Sequence, residues 1–173
     1  MTKKEIFDFI SSIDSVNTEY IMQNDVIMKD FEVARKYLDQ GKKDLYLLCM
    51  RQIREKIRRF NTCYLTPANA KLGDGATVNL WSDRHAATIT RVTKCSITVR
   101  RDKAILNPNF KPEFIPGGFN AHCTNQNEQS YTYEQDENGM EYTFRWSKKY
   151  CSYGTPGNLT LSKGRHEFYD YNF

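Results

Sequence analysis

LGDGATVNLWSDRHAATITRVTKCSITVRRDKA, running from Leu72 to Ala104, is the stretch in which turn chemistry and strand periodicity agree. Gly73-Asp74-Gly75 supplies a tight turn, and Val78 and Leu80 then alternate with Asn79 up to Trp81 as in a half-buried strand. Ser82-Asp83-Arg84 is a polar turn. Thr88 to Val92 alternates again, Thr93-Lys94 reverses the chain, and Ile97 to Arg100 alternates a third time. Strands joined by such short turns form an antiparallel meander, the way a small barrel or a curled sheet begins, and the expectation taken is a small barrel of the SH3-like or OB-like kind.

Upstream of the meander the period changes to that of helices. Thr2 with Glu5 three residues on forms a capping box, and Ile6, Phe9, Ile10 and Ile13 fall on one stripe behind it. After a break at Ser15 to Thr18, Ile27, Phe31, Ala34 and Leu38 repeat at helical spacing until Gly41. Tyr20 to Met22 either extends that helix backwards or makes a separate turn. A third helix is predicted from Asp44, with Cys49, Ile53, Ile57 and Phe60 on one face. At about 100° per residue, Arg51, Arg54 and Arg58 lie opposite them. Periodicity ends at Phe60, and Asn61 to Ala70, containing Pro67, reads as the boundary. The expectation is an α+β chain with a helical domain over residues 1–66 and an antiparallel, barrel-like β domain over 72–173.

Downstream, Ile105 to His122 holds Pro108, Pro112, Pro116, Gly117 and Gly118, enough punctuation to predict a long surface loop. Gln129 to Glu134 and Glu141 to Trp146 alternate on either side of Asp136-Glu137-Asn138-Gly139, which predicts a β-hairpin. Tyr153-Gly154-Thr155-Pro156-Gly157 turns, Leu159 and Leu161 mark a brief strand, and Phe168, Tyr169, Tyr171 and Phe173 form an aromatic anchor.

The chain has 173 residues, 39% hydrophobic and 13% aromatic, which places it among ordered globular proteins. Its net charge of +4 favours anionic partners mildly. No apolar run spans a bilayer, and Glu5 and Asp8 interrupt any signal-peptide core, so a cytosolic protein without membrane contact is expected. The five cysteines, Cys49, Cys63, Cys95, Cys123 and Cys151, are irregularly spaced and are expected to be reduced and metal-free. His122-Cys123 is the one adjacent pair of potential ligands, and no CxxC accompanies it.

Two basic clusters are the candidate binding features. In the third helix Lys42, Lys43, Arg51, Arg54, Lys56, Arg58 and Arg59 stand against Asp44 and Glu55, and a row of guanidinium forks suits phosphates. The competing explanation is a solvated face with cations near the helix C-terminus, complementing the macrodipole. In the β part Arg84, Arg91, Arg100, Arg101 and Lys103 accompany Trp81 and His85, the mixture with which small barrels bind nucleic acid. There the competing explanation is a core Trp81 and local ion pairs to Asp83 or Asp102. Ser82, Asp83 and His85 share one turn, whereas catalytic triads are assembled from distant segments. Gly73-Asp74-Gly75 lacks the further glycines of a phosphate-binding loop. No catalytic residue and no cofactor are expected.

Four blocks carry a resemblance: GDGAT at Gly73, WSDRHAAT at Trp81, RDKA at Arg101 and EFYDYNF at Glu167. The pattern resembles that of small accessory proteins of phages and other bacterial mobile elements, over Gly73–Ala104 and Glu167–Phe173. It brings no catalytic residues. What it implies is a phage setting inside a bacterial host cell and the company of host-defence inhibitors such as anti-CRISPR proteins. The function expected is therefore inhibition of a host-defence protein or nucleoprotein complex by binding it through basic surfaces. The alternatives are a stand-alone module that binds DNA or RNA, and a small nuclease or other enzyme.

Overall fold

A computed structural model describes residues 1–117, 121–155 and 157–172; Gly118, Pro156 and Phe173 of the segments read above lie outside these. The fold is α+β, with helices first and antiparallel strands after them. The chain divides into two units, Met1–Ala70 with Trp146–Ser152 and Lys71–Arg145 with Tyr153–Phe173.

In the first unit the capping box at Thr2 is formed: Glu5 N–H donates to Thr2 Oγ1 at 3.2 Å and Thr2 N–H to Glu5 Oε2 at 2.7 Å. It opens α1 (Lys3–Ser11), followed by a single turn α2 (Thr18–Ile21), then α3 (Asp25–Asp39), started by Asn24, whose Oδ1 accepts from Ile27 N–H. Gly41, with φ +70°, allows the reversal into α4 (Lys43–Cys63). The apolar stripes meet in one core of Ile10, Ile21, Ile27, Phe31, Ala34, Ile53, Ile57 and Phe60, which Cys151 joins from the second half of the chain. Beneath it is a buried polar knot. Asn17 donates through its backbone and side-chain nitrogens to both oxygens of Asp14, at 3.1 and 2.8 Å, and accepts from Thr66 Oγ1 at 2.5 Å, which anchors the chain leaving α4.

α4 runs past the predicted end at Phe60 to Cys63. Pro67 restricts only the residue before it, and nothing between Asn61 and Cys63 blocks helical geometry, so three more residues are added.

In the second unit, β1 (Gly75–Asn79), β2 (Arg84–Val92) and β3 (Ser96–Arg101) form the predicted meander. β4 (Lys103–Leu106), β5 (Phe114–Ile115), β6 (His122–Cys123), β7 (Tyr131–Glu134), β8 (Glu141–Ser147), β9 (Ser152–Gly154) and β10 (Thr160–Lys163) follow. Six of these close a barrel in the order β1-β10-β9-β8-β3-β2. Its registers align Val78 with Leu161, Ile89 with Val99, and Ile97 with Phe144, all buried. A register shift between Ile89 and Arg91 bends β2, as closure of a small barrel requires.

The predicted hairpin between Gln129–Glu134 and Glu141–Trp146 is not formed. β7 pairs with β4, and β8 pairs with β3 to complete the barrel. Alternation assigns a strand's faces, not its partner. Asp136 here caps a local turn, accepting from Asn138 N–H through Oδ1 and from Gly139 N–H through its carbonyl, and Arg101 N–H donates to Met140 O at 2.9 Å. Gly139 is the residue that fits: a Cβ there would collide with the Arg101 carbonyl. The predicted loop over Ile105 to His122 is likewise corrected, since Ile105 and Leu106 belong to β4 and Phe114–Ile115 pairs with His122–Cys123.

Candidate partner-binding surface

The stripe rule that buries Ile53, Ile57 and Phe60 leaves Arg51, Arg54, Lys56, Arg58 and Arg59 exposed on α4. These cations differ in what already holds them. Arg58 pairs with Glu55 at 2.7 Å, Lys56 with Asp30 at 2.6 Å, and the Arg54 guanidinium lies 5.3 Å from the centre of the Phe9 ring. Arg51 and Arg59 have no ionic partner among the described residues. The last turn of α4, Phe60 to Cys63, carries no basic residue. The macrodipole explanation therefore weakens, because that effect fades within one turn of the end. Arg51, Lys56 and Arg59, with Gln52 and Glu55, edge a shallow depression of about 450 Å³.

Three of the five cations of the β cluster are paired with carboxylates. Arg100 meets Glu141 at 2.8 Å, Arg101 meets Glu167 at 3.2 Å, Lys103 meets Glu134 at 3.7 Å, and Arg84 lies over the Phe168 ring at 5.8 Å. Arg91 is exposed, at the bend in β2. Trp81 is not in the core; it is 94% exposed at the turn between β1 and β2. β1 ends at Asn79, so Trp81 belongs to the turn, and the competing explanation of a core Trp81 does not hold.

Sequence reasoning did not find the two residues on which the C-terminal segment hangs. Arg165 reaches back to buried Asp102, Nε to Oδ2 at 2.7 Å, and to Thr88 Oγ1 at 2.8 Å, while Thr88 donates to Asp102 Oδ1 at 2.7 Å. Glu167 Oε1 takes His85 Nδ1 at 3.0 Å and Oε2 accepts Ala86 N–H at 2.7 Å. Burial by itself would raise the Glu167 carboxyl, but the hydrogen bonds from His85 and Ala86 and the charges of His85 and Arg101 together hold it below the ordinary carboxylate range. Nearby, burial pushes the Tyr131 phenol up to about 12, with Tyr171 and Glu167 adding to the effect. This is a structural clamp. His85 is committed to Glu167, and Asp83 accepts from Asp170 N–H, so Ser82, Asp83 and His85 do not assemble into a triad.

The cysteines are all unpaired as thiols, Cys63 and Cys95 exposed and Cys123 and Cys151 buried. Among the described residues no three of His, Cys, Asp and Glu are grouped to hold a metal ion. No described helix is long and apolar enough to cross a membrane. No known protein family, curated protein or solved structure matches the chain.

Proposed function

We propose that the protein acts by binding, through the basic face of α4, the anionic surface of a host-defence nucleoprotein, and that it does so as an inhibitor carried by a phage or mobile element. The observation that supports the binding half is the contrast between the two basic clusters. In the β cluster Arg100, Arg101 and Lys103 are held by Glu141, Glu167 and Glu134, which leaves Arg91 alone in that cluster without an ionic or ring partner among the described residues. Arg51 and Arg59 instead stand exposed together, with no carboxylate partner among the described residues, on one helix whose opposite face holds the core. Guanidinium groups left unpaired in this way match phosphates and keep their donors for an incoming partner. The inhibitory setting rests on the resemblance of Gly73–Ala104 and Glu167–Phe173 to phage accessory proteins.

The reading is tested in bacteria carrying a panel of nucleoprotein defence systems, scored by phage plating. Expression of the protein should restore plating against at least one system, and the Arg51→Glu/Arg59→Glu variant, at equal abundance, should not. Restoration by both proteins alike would remove α4 from the account. Failure against every system, with nucleic-acid binding retained in vitro, would favour the stand-alone nucleic-acid-binding module.

A further inference from the structure

We infer that a groove between the start of α3 and the end of α4 receives one unpaired base of a single-stranded nucleic acid. The groove measures about 340 Å³. Its α4 wall is Lys56, Arg59, Phe60 and Cys63, spaced i, i+3, i+4 and i+7, so that these side chains form one continuous stripe. Val26 and Ile27 of α3 face them. Tyr64 also lines the groove, its ring stacked on Phe60 with centroids 4.8 Å apart and planes 19° apart.

Three features point to a base rather than to another anionic group. Tyr64 remains 46% exposed although Phe60 covers one side, so an aromatic face is offered to an incoming ring. The backbone that carries this ring is held in place, because Asn69 Nδ2 donates to the Tyr64 carbonyl at 3.0 Å and Asn69 Oδ1 accepts Thr66 N–H at 2.8 Å. Arg59, without an ionic partner among the described residues, stands on the same stripe and is placed for the phosphate joined to that base. An acidic peptide would use Arg59 and leave the Tyr64 face in water. A double helix would keep its bases stacked inside. The volume lies at the low end of ligand pockets, roughly 300–1,000 Å³, which suits one nucleotide unit.

This inference rests on the proposed basic face and adds the class of ligand. The test uses fluorescent single-stranded oligonucleotides of about 15 nucleotides, as RNA and as DNA, each also prepared with 5-iodouracil for photo-crosslinking. Crosslinks are expected on the peptide containing Tyr64. Tyr64→Ala should weaken binding about tenfold, and Tyr64→Phe should restore it. Arg59→Glu should weaken it and lower the salt dependence by about one counterion. The duplex of the same sequence should bind less tightly than the single strand.

Crosslinking confined to Trp81, or unchanged affinity in Tyr64→Ala, overturns the groove as the site. Should Tyr64→Ala fail to fold, Tyr64→Leu takes its place, since it keeps bulk on Phe60 and removes the ring. If the Tyr64 variants bind normally and Arg51→Glu/Arg59→Glu does not, only the base site is lost and the basic face stands. If neither set changes binding, both readings fall. A stronger effect on RNA than on DNA, or the reverse, identifies the strand.

Discussion

Asp102 is the residue at which most is at stake for stability. It is buried and holds both Arg165 and Thr88. Arg165 is partly exposed, so it is the removal of Arg165 that leaves a buried charge uncompensated, and Arg165→Ala should cost about 3 kcal/mol or more in urea unfolding. A cost under about 1 kcal/mol would place the pair with ordinary surface bridges. Glu167 makes a prediction in pH. Its carboxyl is held below the ordinary value, so its contribution is complete above the unfolded pKa of about 4.3 and is lost as pH falls through the folded value. Wild type should therefore lose more stability than Glu167→Gln between about pH 5 and pH 3, and parallel acid limbs would contradict this. Thiol labelling supplies a third check. Cys63 and Cys95 should react quickly in the native protein and Cys123 and Cys151 slowly, with burial pushing the Cys151 thiol up. None of the long-range pairs was legible in the sequence. Arg101 and Glu167 are 66 positions apart, and a list of charges does not say which carboxylate each cation meets.

At the scale of elements, what repeats locally was legible and what pairs remotely was not. The capping box at Thr2, the stripe of α4 and the strands of the meander each follow from neighbours in sequence. The hairpin failed because β7 and β8 alternate correctly yet join different partners. Gly139 marks the place where that routing is decided, and a larger residue there would have to displace the Arg101 backbone. Gly139→Ala should thus destabilise the protein by about 2 kcal/mol, the usual range for forced overpacking. Thermal unfolding measures it, and an unchanged midpoint would show that the turn gives way at no cost.

For the whole molecule, the chain is interleaved in a way that periodicity could not reveal. Trp146–Ser152, from the last residues of β8 to the first of β9, belongs to the helical unit, where Cys151 enters the core and Trp146 meets Tyr20 edge-on at 5.3 Å. The same blindness applied to the site. Both basic clusters were visible as composition, but only the fold separates cations held by carboxylates from Arg51 and Arg59 on α4 and Arg91 on β2, which are exposed without an ionic partner among the described residues. The claim that this α4 face does the binding is tested most directly by measuring the affinity of Arg51→Glu/Arg59→Glu for a labelled single-stranded oligonucleotide beside its melting temperature. The account predicts a loss of at least about tenfold in affinity with stability changed by no more than about 0.5 kcal/mol. Parental affinity in a variant that melts like the parent would contradict it.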